Sequence, residues 1–176
     1  MGEYCHISHE FLPVFDENSK ILILGSFPSV KSREQGFYYG HPQNRFWKVV
    51  AAVCGCEVPK TVEEKKQMLL LNHIAIWDVI DSCDIIGSSD SSIKNVVPAD
   101  IAGLLQKTRI TKVCCNGKTA GTLYEKYCKE KTGIEAVILP STSPANAVFS
   151  VDRLVECWKR DLNETERESG ENGREN

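Results

Sequence analysis

Apolar residues along this chain fall into two rhythms, short unbroken runs and longer stretches at helical spacing. Ile21-Leu22-Ile23-Leu24 is an unbroken run, the pattern of a strand covered on both faces. Gly25-Ser26-Phe27-Pro28-Ser29 ends it, and a long connection rich in Gly, Tyr, His, Pro and Asn follows. From Arg45 to Cys54 the spacing of Phe46, Val49, Val50 and Val53 predicts a helix. Asn44 stands where an N-cap belongs and Gly55 where the helix stops. A second helix is predicted over Thr61 to Leu71, opened by Thr61 and Glu64 as a capping box. Further strands are read at Ile74–Val79, Ile110–Cys115 and Ile134–Leu139. Further helices are read at Pro98–Lys107, Lys118–Glu130 and Val151–Leu162. Residues 1–19 read as an irregular lead-in, and Asp81 to Asn95 as a polar connection containing the loop Gly87–Ser92.

Strand and helix alternate four times, which predicts an α/β fold: three layers, α/β/α, around a four-stranded parallel sheet. The chain has 176 residues, enough for one such domain, placed at residues 1–162. In a sheet of this kind the loops that follow the strands gather at one edge, where α/β folds bind ligands. The loop after Leu24 and the loop Pro140–Asn146 therefore face one crevice. A connection as long as the one from Gly25 to Asn44 is functional or disordered. Phe37, Tyr38, Tyr39, Phe46 and the His41-Pro42 pair argue for function.

Composition alters this picture in three places. Apolar residues are 41% and charged residues 26%, ordinary for a globular protein, and no apolar run reaches the ~20 residues of a membrane helix. The N-terminus lacks a signal-peptide layout, so a cytoplasmic protein is expected. Eight cysteines without a CxxC pair read as free thiols, and Cys5, His6 and His9 as a chance cluster rather than a zinc site. The net charge of −3 is concentrated in residues 163–176, an acidic tail with nothing apolar to bury and expected to be disordered. Without its five acids and two arginines, the body holds 19 charges of each sign. Lys31, Arg33, Arg45 and Lys48 flank the long loop and offer a local basic face compatible with DNA.

The chemistry of the crevice is narrowed by what the sequence lacks. Phosphate-binding glycine loops, HExxH and GxSxG are all absent, so neither a nucleotide cofactor, a catalytic metal nor a serine nucleophile is expected. Aromatic rings, an amide, hydroxyls and backbone N–H groups remain. That set suits a flat, uncharged, hydrogen-bonding ligand such as a nucleobase.

GSFPS at 25–29, GFYYGHPQNRFWKVV at 36–50, IAIWDVIDSC at 74–83 and PSTSPANA at 140–147 resemble the uracil-DNA glycosylase superfamily. The likeness is to its hypoxanthine-DNA glycosylase (deoxyinosine glycosylase) branch and runs from about Ile21 to Trp158. It implies hydrolytic excision of a deaminated base, chiefly hypoxanthine, from DNA, leaving an abasic site. By the same resemblance Asn44 takes the catalytic role, because Phe27 stands where relatives carry a water-activating Asp or Asn. Tyr39 falls where relatives stack an aromatic on the flipped base, and Ser26 and Phe27 line the base pocket. Ser141 replaces a His or Asn, and Ala145 stands where relatives place a bulky wedge.

Simpler readings stand beside these. Asn44 is equally a helix cap, Tyr39 a core aromatic, and His41 a structural hydrogen bonder. Asn72, at a helix end, reads as a C-cap. Asp78, closing the second strand, is the one carboxylate placed to reach the base. Ser141, Ser143, Pro144, Ala145 and Lys118 are the candidate DNA contacts, with hydroxyls serving the loop backbone as the plainer alternative. The expected enzyme is a monomer that uses water as nucleophile, without lyase activity. A uracil or broad deaminated-base glycosylase, or a pure DNA- or base-binding module, are the competing readings.

Overall fold

The computed structural model of the protein describes residues 2–172. The chain opens with a strand that its sequence does not announce, β1 (Cys5–Ser8), followed by β2 (Ile21–Gly25). β2 is buried at every position, Ile21 and Ile23 facing one core and Leu22 and Leu24 the other. Two covered faces explain its unbroken apolar run. Next come α1 (Val30–Gln35), α2 (Phe46–Cys54) and α3 (Val62–Leu71), then β3 (Ile74–Asp78), β4 (Ile80–Ile85) and β5 (Lys94–Pro98). The rest is α4 (Ile101–Gln106), β6 (Lys112–Asn116), α5 (Lys118–Tyr127), α6 (Lys129–Thr132), β7 (Ala136–Leu139) and α7 (Val151–Asn172).

A four-stranded parallel sheet in the order β3-β2-β6-β7 forms the middle layer. α2, α3 and α7 cover one face, where Phe46, Leu69, Leu154 and Trp158 are wholly buried. α4 and α5 cover the other, around Leu22, Leu24, Val113 and Tyr124. The capping box at Thr61 forms, with Glu64 reaching back to the cap, and Asn72 ends that helix as its C-cap. Gly55 takes a left-handed φ of 71° and closes α2.

The main departure from the sequence reading is a second sheet, antiparallel, in the order β1-β4-β5. The chain does not leave the sheet region at Val79. It runs on as β4, where register shifts against β5 break the two-residue alternation that would reveal a strand. Residues 1–19 are accordingly not all irregular, and Asp81 to Asn95 is largely strand. Pro98 ends β5 instead of opening a helix; Asp100 caps α4 by accepting from the Gly103 N–H at 3.0 Å. The helix read as Lys118–Glu130 breaks at Cys128 into α5 and α6.

α7 continues to Asn172, through ten residues of the stretch read as a disordered tail, while residues 173–176 lie outside the described residues. Past Leu162 its sequence holds no apolar residue for a core to take up. All eight cysteines are free thiols. Among the described residues no helix is long and apolar enough to cross a membrane.

Candidate active site

A cleft of about 320 Å³ opens at the carboxyl ends of the parallel strands, in the size range of small-molecule sites. It gathers Ser26, Phe27, Tyr39, Asn44, Asp78, Ser141, Ser143, Pro144 and Ala145 into one wall. Lys118 alone among the candidates stands apart, in an adjoining groove lined by Gly117, Ile138, Ser141, Ala145, Asn146 and Phe149.

Asn44 is held by both of its neighbours. Its Oδ1 accepts from the Phe46 N–H at 3.0 Å and from the Thr142 hydroxyl at 2.8 Å. A backbone N–H can only donate, so the first of these fixes which end of the amide is oxygen. Thr142, fully buried, accepts in turn from the Asn116 amide at 3.0 Å, and its own N–H donates to Asn116 Oδ1 at 3.0 Å. The chain Asn116–Thr142–Asn44 therefore ties β6, the second Ser/Pro loop and the start of α2 together. The N-cap of α2 is Arg45, without a side-chain cap, and not Asn44 as its position in the sequence suggests; from one residue earlier Asn44 still lends its oxygen to the first helical N–H. The Nδ2 donor has no hydrogen-bond partner among the described residues and is the end left for the cleft. Two donors already occupy the oxygen through which an asparagine would hold a water.

Tyr39 adopts φ 54°, a left-handed conformation that non-glycine residues rarely take and that clusters at functional sites. Its ring stacks on Phe46, with centroids 3.9 Å apart and planes 15° off parallel. One face is thus committed to the core. Its hydroxyl is buried near the Asn116 amide without a hydrogen bond of good geometry. Burial first, and then the Asp78 charge, push the phenol well above its ordinary range, so it remains a hydroxyl. Gly25 lies beneath. A Cβ there would overlap Asp78 Oδ1 and come within 3.1 Å of Tyr39 Oη.

Asp78 Oδ2 meets His9 Nε2 at 2.7 Å, with both side chains buried. The loop after β4 also folds over the cleft: Arg33 donates to Gly87 O at 2.7 Å and the Val30 N–H to Ser88 Oγ at 2.8 Å. Ser26 donates to Asp90 Oδ1 at 3.3 Å. Desolvation pushes the Asp90 carboxyl above its usual range, the Ser26 bond opposes this, and the Asp78 charge adds to it. Phe27 is a core residue of the second sheet, packed with Ile80, Cys83 and Ile85, that also meets the cleft.

The loop after β7 is rigidly laced. Arg45 donates to the carbonyls of Thr142, Ser143 (2.8 Å), Asn146 (3.0 Å) and Phe149. Trp158 on α7 donates to Pro140 O at 2.9 Å. Ser141 and Ser143 accept from the N–H groups of Ser143 and Ala145. Arg45 and Arg33, counted in the sequence as part of a basic face, are thus both tied to backbone carbonyls, Arg33 at the surface. His41 accepts from the Gln43 N–H at 3.1 Å, the structural role read for it.

Sequence reasoning missed His9, Thr142, Asn116 and Asp90. Only Asn116 carried a signal, an amide at the end of a strand facing the crevice. Cys5, His6 and His9 do not converge: His6 bonds Asp84 at 2.8 Å, while His9 turns to Asp78. Among the described residues no three potential ligands are grouped as a metal would require.

Comparison with known proteins places this geometry. A curated hypoxanthine DNA glycosylase of Methanosarcina acetivorans is 40% identical over 155 residues, 87% of this chain and 96% of that protein. One of Methanosarcina barkeri is 36% identical over 138 residues, 77% and 86% of the two chains. The solution NMR structure of a candidate uracil DNA glycosylase from M. acetivorans superposes with a TM-score of 0.76. It shares 38% identity and covers 89% of this chain and 96% of its own. The sequence profile of the uracil DNA glycosylase superfamily matches residues 12–163, and with so much of the fold and cleft inside that span, the chain belongs to this superfamily.

Proposed function

We propose that the protein is a monofunctional DNA glycosylase that flips a deaminated base, chiefly hypoxanthine, out of DNA and hydrolyses its N-glycosidic bond. The observation that carries this reading is the fixed amide of Asn44, its donor end free at a cleft walled by Tyr39 and Asp78. The flipped base lies against Tyr39, which Phe46 backs on its other face. The bond from C1′ to the base nitrogen breaks with its electron pair leaving on the base. Water then bonds to C1′, and its proton ends on the base. Negative charge grows on the departing base, and the Asn44 Nδ2–H group is the donor that stabilises it. One well-aimed donor contributes ~3 kcal/mol, about a hundredfold in rate. No lysine is among the residues lining the cleft, so no Schiff base forms and the product is an abasic site. Ser141, Ser143, Pro144 and Ala145 meet the strand at the rim, with Lys118 in the adjoining groove. The enzyme acts as a monomer in the cytoplasm, at the nucleoid, without metal or cofactor.

Single-turnover release from duplexes carrying one hypoxanthine, uracil or xanthine tests this. Wild type releases hypoxanthine fastest, and Asn44→Ala is slower by about a hundredfold. Asn44→Asp keeps the oxygen that accepts from Phe46 and Thr142 and removes the donor, so it is expected to fold and be equally slow. An Asn44→Asp enzyme as fast as wild type would instead make residue 44 a water activator. Binding without release from any duplex would make the protein a binding module.

A further inference from the structure

His9 follows β1, and its own N–H donates to Asp81 O at 2.7 Å, fixing it against β4. The imidazole is enclosed by Phe11, Tyr38 and Phe27, with ring centroids 4.6, 5.8 and 6.1 Å away. Nε2 lies 2.7 Å from Asp78 Oδ2, the two side chains being 3% and 5% exposed, and Nδ1 has no partner. A buried carboxylate and imidazole placed in this way engage one oxygen of the pair only. Whichever atom holds the proton between them, it lies on the Oδ2 side, and Oδ1 stays an acceptor.

Oδ1 is the oxygen next to Gly25, at the inner end of the cleft, with the buried and unpartnered Tyr39 hydroxyl beside it. An acceptor in that place complements the ring N–H of a lactam edge. Hypoxanthine, uracil and xanthine present that edge. Adenine presents the reverse, a lone pair on the ring nitrogen beside an amino group, and would set its lone pair against the carboxylate.

We infer that His9 is a positioning residue that holds Asp78 so that Oδ1 accepts the ring N–H of a flipped lactam base, making this pair the selector against amino bases. The inference rests on the glycosylase reading above. A pocket built to hydrogen-bond its substrate rejects an analogue lacking the matching group far more strongly than one that only fits its shape. Without His9 the carboxylate loses the contact that fixes Oδ2, and Oδ1 is no longer held in one direction.

The test is single-turnover release of hypoxanthine and of 1-methylhypoxanthine, which keeps the carbonyl and lacks the ring N–H, by the full chain. Wild type is expected to favour hypoxanthine by about a hundredfold or more. His9→Leu should shrink that ratio to below about ten, with the loss falling on hypoxanthine. His9→Gln, whose amide N–H can donate to Asp78, should restore most of it. Thermal unfolding shows that each variant folds. If wild type releases hypoxanthine and both variants slow the two bases by the same factor, His9 only packs and the inference falls while the function stands. If wild type releases no base from either substrate, the glycosylase reading fails and takes this inference with it.

Discussion

Gly25 has no side chain, and the space one would occupy holds Asp78 Oδ1 and the Tyr39 hydroxyl. A methyl group there must displace one of them. Gly25→Ala is expected to lower hypoxanthine release by at least about a hundredfold, because misplacing a contact by an ångström costs that much. Overpacking should take about 1–3 kcal/mol from stability, visible as a modest fall in melting temperature. Activity close to that of wild type would show that neither oxygen needs its position. At this scale the sequence was partly readable. Asn44, Tyr39 and Asp78 each stood beside a strand or helix end where their type is informative. His9 was opaque, because its partner is 69 residues away and its neighbours suggested a terminal metal cluster. Nor could a sequence say that the Asn44 oxygen is spoken for: Thr142 lies 98 residues on.

Elements carry the second level of organisation, and here one arginine does what a whole strand would otherwise do. The loop from Thr142 to Phe149 has no strand partner, yet Arg45 collects four of its carbonyls. Hydrogen bonds to a charged group contribute about 1.5–3 kcal/mol each in favourable cases, though they do not add. Lysine keeps the charge and loses the planar fork that reaches several carbonyls at once. Arg45→Lys should therefore lower the melting temperature by roughly 5–10 °C, as about 2–3 kcal/mol does in a chain of this size. It should also weaken excision from duplex, through a loosened rim, more than from single-stranded DNA. Equal losses on both substrates would mean the loop does not meet the opposite strand. The parallel layer could be read in advance because buried strands and amphipathic helices each leave a period. The antiparallel sheet could not. β5 is largely exposed, β4 is bulged, and β1 is four residues long, so none repeats its pattern long enough to be seen.

For the molecule as a whole, charge is the property that its ligand would feel from a distance. With Arg33 and Arg45 tied to backbone carbonyls, the exposed cations flanking the site are few, chiefly Lys31, Lys48 and Lys118. Duplex binding should then depend only mildly on salt, with a log–log slope of about −3, where each phosphate contact contributes roughly −0.9. Fluorescence anisotropy across salt concentrations measures it. Cutting the chain after Leu162 removes net negative charge and no apolar residue. The shortened protein should melt at the same temperature and bind undamaged DNA more tightly at low salt, and a marked drop in melting temperature would show the tail to be structural. The opposite end of the chain has the opposite character. β1 pairs with β4 alone, at an edge, and the parallel core does not depend on it. Yet the segment just after it delivers the imidazole that fixes the Asp78 carboxylate. Proteolytic clipping before Glu10 should therefore leave a folded enzyme that releases hypoxanthine more slowly and separates it less well from 1-methylhypoxanthine. In a living host such a fragment would let deaminated bases persist, a milder form of what loss of Asn44 would do.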